Sequence, residues 1–380
     1  MTPVPEYCAD EDLPLEKRQE QMQVIQHLRG GRKLIALANW DRTVDAGIPG
    51  LQTQFAADVK EPLYRVLKET VDQGDGVDLL LYTRGGDTNA VWPLVSLLRE
   101  FDPDFQVLVP FRCHSSGTLL ALAAERIIMT PIGELSPIDP TTGNQFNPVD
   151  PIQSKARLGI SVEDVQAYRD FILEQFKLAE EQNSAPAREI LRPFIDRLTD
   201  RVHPLALGNV HRVHQQIKKL ADKLLSFHDG DTENRKNMVE ALATRFYSHL
   251  HMITREEAKE ILGDRIVSAD GELTCALDKL LRGYEVHFFL RRAFHLAPFV
   301  GDLPKKEARF IGGLVESCCW SYLHETQAVI HQSSVFPDNI QVQVPAGQPM
   351  PLVPGLPRNI SVEVASQGWV RNTIPRGFSR

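Results

Sequence analysis

The sequence predicts an α/β fold built around a largely parallel sheet, on two observations. Short continuous apolar runs, Leu34-Ile-Ala-Leu-Ala38, Val77-Asp-Leu-Leu-Leu-Tyr82 and Phe105-Gln-Val-Leu-Val109, have the character of strands buried on both faces. Between them lie segments with helical periodicity, clearest where Val91, Leu94, Val95 and Leu98 fall at i, i+3, i+4 and i+7. Strands that alternate with helices build a parallel sheet, because each parallel pairing needs a crossover.

In chain order, residues 15–28 set Leu15, Met22, Ile25 and Leu28 among charged neighbours, an amphipathic helix ended by Gly30-Gly31. A strand over 34–38, a helix within 55–73 and a strand over 77–82 follow, the last stopping at Arg84-Gly85-Gly86. The Val91 helix, the 105–109 strand, a helix from Gly117 to Glu125 and a strand at Ile127-Ile-Met129 continue the alternation. Residues 141–160 break into Thr, Gly, Asn and Pro, and Ser161-Val-Glu-Asp164 then has the S-x-x-D form of a helix start. Residues 209–226 are helical in pattern, and Thr254-Arg-Glu-Glu257 opens a short helix closing near Gly263, with His249-x-His251 on a strand before it. The tail carries alternating Ile340-Gln-Val-Gln-Val344 and Ile360-Ser-Val-Glu-Val364 among prolines, small β structure whose edges proline limits. The expected organisation is an N-terminal helical segment 1–32, a core 33–280 with a helical insertion at about 141–200, and a C-terminal α+β extension 281–380.

Composition narrows the function classes. Hydrophobic residues at 42% and charged residues at 24% exclude a disordered, collagenous or coiled-coil chain. The net charge is −8 and no Lys/Arg cluster forms a footprint for nucleic acid. The start, Met1-Thr-Pro-Val-Pro-Glu, lacks the basic and apolar regions of a secretion signal, so a cytoplasmic protein is expected. The strongest apolar run, Thr118 to Ala124, falls far short of the about 20 residues that span a bilayer. The cysteines, Cys8, Cys113, Cys275, Cys318 and Cys319, are odd in number, and the adjacent pair lacks C-x-x-C spacing, so buried, reduced thiols are expected.

The chemistry concentrates in Tyr82-Thr-Arg-Gly-Gly-Asp-Thr88, Cys113-His-Ser-Ser-Gly-Thr118 and the run to Met129. Paired glycines after a strand let bare backbone approach a ligand and aim amides at a developing oxyanion. A serine before a helix gains from the positive helix end. Together they describe acyl transfer; a helix cap is the bland account of Ser115 and Ser116.

These motifs, with Glu134-Leu-Ser-Pro-Ile-Asp-Pro140 and the segment Ser248 to Gly263, resemble the serine dehydrogenase proteinase family of the Clp protease, signal peptide peptidase A and crotonase superfamily. The resemblance covers roughly residues 33–140 and 201–270. It implies a Clp/crotonase-like core of repeated β-β-α units and a serine peptidase with Ser115 as nucleophile. Gly85, Gly86 and Ser116 are the implied oxyanion and substrate-binding residues. It also implies homo-oligomers, a peptide or protein substrate and no cofactor; relatives found beside ubiquitin-like modification systems suggest a ubiquitin-like tag as substrate. His249-x-His251 offers two metal ligands but no third at a recognised spacing, so no metal is expected, and no G-x-G-x-x-G follows a strand to bind a dinucleotide.

The general base stays open. Asp139 stands where the Clp-type peptidases carry histidine, and orients a base, binds substrate or closes a turn. His203, with His211 and His214 behind it, occupies the stretch where signal-peptide-peptidase relatives carry lysine. Lys155 competes as a Ser-Lys base, since a desolvated lysine is neutral near neutral pH, and His249 or His251 is a further choice. Two other functions share these motifs: a crotonase-type acyl-CoA thioester enzyme, and a catalytically silent scaffold that binds extended peptide.

Overall fold

A computed structural model describes residues 15–40, 48, 51, 53–54, 56–138, 141–150, 157–177, 184–244, 246, 248, 250–288, 290, 294–336 and 352–372. Cys8, Asp139, Lys155, His249 and the 340–344 segment lie outside them. In order, the elements are α1 (Leu15–Leu28), β1 (Lys33–Asn39), α2 (Lys60–Thr70), β2 (Val77–Tyr82), α3 (Thr88–Phe101), β3 (Gln106–Val109), β4 (Arg112–Cys113), α4 (Ser116–Ala121), β5 (Ile127–Met129), β6 (Glu134–Leu135), β7 (Thr141–Thr142) and β8 (Ile160–Ser161). Then come α5 (Val162–Gln175), α6 (Ala185–Arg201), α7 (Pro204–Leu225), α8 (Thr232–Thr244), β9 (Ile253–Thr254), α9 (Arg255–Leu262), β10 (Ile266–Ser268), α10 (Gly271–His287), α11 (Leu296–Val300), β11 (Lys305–Ser317), β12 (Ser321–Ser334) and β13 (Arg358–Arg371). They divide into unit 1 (residues 1–112, 126–133 and 267–380) and unit 2 (113–125 and 134–266).

Unit 1 is built on a sheet of order β10-β5-β3-β2-β1-β11-β12-β13. β1, β2, β3 and β5 run parallel, as their unbroken burial requires, and β2 is buried at all six positions. One face packs Leu34, Ala36, Ala38 and Leu80 against Met22 and Ile25 of α1 and Leu277, Leu280 and Tyr284 of α10. α2 contacts β1 and β11 and lies beside α3.

Unit 1 also carries charge in its interior. Asp78 of β2 is buried and takes Arg29 (2.7 Å) and Arg32 (2.6 Å), tying the α1–β1 turn to the sheet. Glu316 of β11 is fully buried; Arg18 of α1 grips both its oxygens at 2.9 and 3.2 Å, while the Tyr284 and Ser321 hydroxyls donate to it at 3.2 and 3.1 Å. Burial, with the Glu316 carboxylate beside it, holds the Tyr284 phenol well above its ordinary value and keeps it a donor.

The sequence and the structure part at three places. Residues 281–380, expected as a C-terminal α+β extension, supply β11, which pairs antiparallel with β1 and carries β12 and β13 with it. Alternation marks a strand but not its partner, so this long-range pairing left no local signal. The helix expected from Gly117 to Glu125 is helical only to Ala121, and His251 precedes β9 instead of lying on a strand.

Unit 2 is mainly helical. α5 and α9 begin with capping boxes, Ser161 with Asp164 and Thr254 with Glu257, and α9 closes at Gly263, whose φ of +63° suits glycine. α7 packs against α4, α5 and α8, and β6 pairs antiparallel with β9. Among the described residues no helix is long and apolar enough to cross a membrane.

Arg18→Met should lower the unfolding free energy by about 3–5 kcal/mol, because it leaves the Glu316 carboxylate buried without its cation. Urea denaturation measures this, and adding Glu316→Met to the same chain should recover most of the loss.

Candidate active site

In unit 1 the chain leaves β2 at Tyr82 and turns at once. Thr83 Oγ1 accepts the Gly85 amide at 3.0 Å, and Gly85 has a φ of +96°, a backbone state that disfavours any side chain. Asp87 then caps α3 by accepting the Asn89 amide at 2.9 Å. The glycine pair therefore forms a tight loop between strand and helix.

In unit 2, Ser115 is the apex of a strand-to-helix turn. Cys113 ends β4, Ser116 begins α4, and Ser115 between them has φ 52° and ψ −116°. Among the described residues only Ser115 and Lys177 combine a side chain with positive φ. Such a conformation costs about 1–3 kcal/mol and persists only where its surroundings impose it.

Those surroundings are two hydroxyls. Ser136 Oγ accepts the Ser115 amide at 2.7 Å, and Ser136 N–H donates to Thr118 Oγ1 at 3.0 Å. Thr118 Oγ1 donates in turn to the Cys113 carbonyl at 2.7 Å, closing a ring of bonds around the turn. The Ser115 carbonyl accepts the Leu119 amide at 3.0 Å, while its hydroxyl makes no cap hydrogen bond to α4. Backbone is held and Oγ is left available. Thr118 and Ser136 stand inside motifs visible in the sequence, but nothing in the sequence says that they bond to each other.

Neighbouring groups complete the electrostatics of unit 2. His114 Nε2 lies 3.1 Å from Glu134 Oε1. Burial pushes the Cys113 thiol far above its ordinary range, so it is an inert packing group. Beyond the last turn of α4, Arg265 donates to the Leu122 and Ala124 carbonyls and His228 Nε2 lies 3.0 Å from the Ala123 carbonyl. Burial lowers the Arg265 guanidinium to about 10, which leaves it charged at neutral pH against the negative end of the helix.

Four of the expected bases lie among the described residues, each in a setting of its own. His203 is exposed and caps α7, its Nδ1 accepting the Leu205 amide at 3.1 Å while its ring stacks on Phe146 at 4.9 Å. With Nδ1 accepting, a neutral ring carries its proton on Nε2. His211 is exposed on α7 and His214 is buried there. His251 Nε2 lies 3.1 Å from Glu257 Oε1 and its ring stacks on Phe246 at 4.3 Å. Ser115 and Ser116 are adjacent at the turn, and Gly85 and Gly86 belong to the loop of unit 1.

Comparison with known proteins finds the following similarities. An uncharacterized protein of Methanocaldococcus jannaschii is 24% identical over 213 residues, 53% of this chain and 71% of its own length. A second from the same organism is 34% identical over 97 residues, 26% of this chain and 33% of its own. A membrane-bound stomatin-specific protease, solved in complex with a substrate peptide, aligns over 57% of this chain and 72% of its own at 14% identity and a TM-score of 0.32. Over residues 5–158, the stretch that carries Gly85, Gly86, Ser115 and Ser136, the chain matches the family of ClpP-like SDH-type serine proteinases, as its motifs led us to expect.

Proposed function

We propose that this chain is a serine peptidase that works through an acyl-enzyme on Ser115. The observation that carries the proposal is the strained, doubly anchored backbone of Ser115 at a strand–turn–helix apex, the arrangement that lifts a nucleophilic hydroxyl clear of its own backbone. A base removes the Oγ proton, and Oγ attacks the substrate carbonyl. The Ser116 amide donates to the oxyanion. Collapse expels the amine with the transferred proton, and water then attacks the ester to free Ser115. Gly85 and Gly86 keep the part that the family resemblance gives them, a loop of backbone donors.

Lys155 is the base in this proposal, with Asp139 orienting it or binding substrate. The support is chemical: the accepting nitrogen of His203 is occupied by the α7 cap. The substrate is a peptide or protein, with a ubiquitin-like tag as the specific class to try first, and the working form is a homo-oligomer.

A fluorophosphonate probe followed by intact mass should add one equivalent to the wild-type chain and to Ser116→Ala, and none to Ser115→Ala. An unlabelled wild-type protein that binds a CoA ester would turn the assignment to thioester chemistry. Ser136→Ala should slow labelling about tenfold, a loss of roughly 1.4 kcal/mol of transition-state stabilisation, as the Ser115 turn relaxes. Lys155→Met should abolish peptide hydrolysis. By contrast, His203→Ala should lower stability by about 1 kcal/mol through the lost cap, with His203→Asn restoring it and both retaining the wild-type pH profile; loss of hydrolysis in His203→Asn would move the base to His203.

A further inference from the structure

The adjacent cysteines of unit 1 are not used by the Ser115 chemistry, and their placement is unusual. On a strand, consecutive side chains point to opposite faces, so neighbouring thiols stay apart. Cys318 and Cys319 instead occupy the turn between β11 and β12, where their sulfurs approach to 3.4 Å. Cys319 is exposed and Cys318 half-buried.

The turn itself is pinned. Ser317 is fully buried, its Oγ accepts the amides of Cys319 (3.3 Å) and Trp320 (3.1 Å), and its own amide donates to the Trp320 carbonyl at 2.7 Å. Thr70 Oγ1 of α2 donates to Ser317 Oγ at 2.9 Å, and Arg371 of β13 stacks on Trp320 at 3.8 Å. The two thiols are therefore presented by a rigid hairpin end, so little ordering remains for a ligand to impose.

We propose that Cys318 and Cys319 form a preorganised vicinal dithiol that chelates a thiophilic trivalent centre, of which an organoarsenical is the chemical type. An atom about 2.3 Å from each sulfur, the length of a metal–thiolate bond, sees sulfurs this far apart at roughly 95°. That is the near-right angle of a pyramidal trivalent centre, and it is reached with the sulfurs where they already stand. The reaction with phenylarsine oxide balances without an oxidant. Two As–S bonds form, the As–O bond is lost, both thiol protons leave with that oxygen as water, and arsenic stays trivalent. Burial, then the neighbouring thiol, pushes Cys318 up to about 11, so exposed Cys319 attacks first and Cys318 closes the ring.

The test is intact-mass analysis of the full chain treated with phenylarsine oxide in excess glutathione. We expect one phenylarsine per chain, retained against the monothiol and released by 2,3-dimercaptopropanol. Cys318→Ser and Cys319→Ser should each lose the adduct to glutathione at least about tenfold faster, because a single thiol lacks the second, intramolecular bond. Cys8→Ser, Cys113→Ala and Cys275→Ser should each keep it. No glutathione-resistant adduct on the wild-type chain, or an equally resistant one on either Cys318→Ser or Cys319→Ser, overturns the proposal. Because the readout does not involve Ser115, its result is independent of the peptidase assignment.

Discussion

Four elements of unit 1 converge on the Glu316 carboxylate. Arg18 reaches it from α1, Tyr284 from α10 and Ser321 from β12, while Glu316 itself stands near the end of β11. A buried carboxylate is tolerable only when its lone pairs are met, and here three donor groups meet them in fixed directions. Apolar packing would let α1 and α10 slide along the sheet; the bidentate guanidinium does not. The network thus sets the register between the first helix and the strands that enter from the far end of the chain. The Arg29 and Arg32 contacts to Asp78 do the same for the turn that feeds β1, so the parallel strands start from a fixed point.

In unit 2 the corresponding constraint is on a backbone torsion. Ser115 is held at positive φ by a ring of three hydrogen bonds that uses one hydroxyl from α4 and one from the segment after β6. Neither Thr118 nor Ser136 needs to touch a substrate for this to matter: removing the acceptor of the Ser115 amide would let the turn fall back to an ordinary helix start, with Oγ turned toward its own helix as a cap. The last carbonyls of α4 accept amides of the turn that follows it, and Arg265 and His228 meet the carbonyls of that turn, residues 122–124.

The histidines show how one residue type divides by context. His203 stabilises a helix start, His228 lies against a carbonyl beyond α4, His114 and His251 pair with carboxylates, and His214 is packed away. Histidine spacing along the chain separates none of these, because each depends on what the ring meets, near in sequence for His203 and His251 and far for His228.

Periodicity and turn chemistry alone determined much of the protein. The strands at 34–38, 77–82 and 105–109, the α1 end at Gly30-Gly31, the capping residues of α5 and α9 and the Gly263 stop all follow from local preferences that operate over a few residues. The Ser-x-Gly-Thr motif marked Ser115 because it couples a serine to a helix start, and that too is local. Tertiary structure alone decided that β11 joins β1, that Ser136 rather than a nearer group holds the Ser115 amide and that two adjacent thiols meet at a hairpin end. Each of these rests on a partner distant in sequence or on a turn direction, and hydrophobic pattern carries no record of which distant group will arrive; only the packed chain selects it.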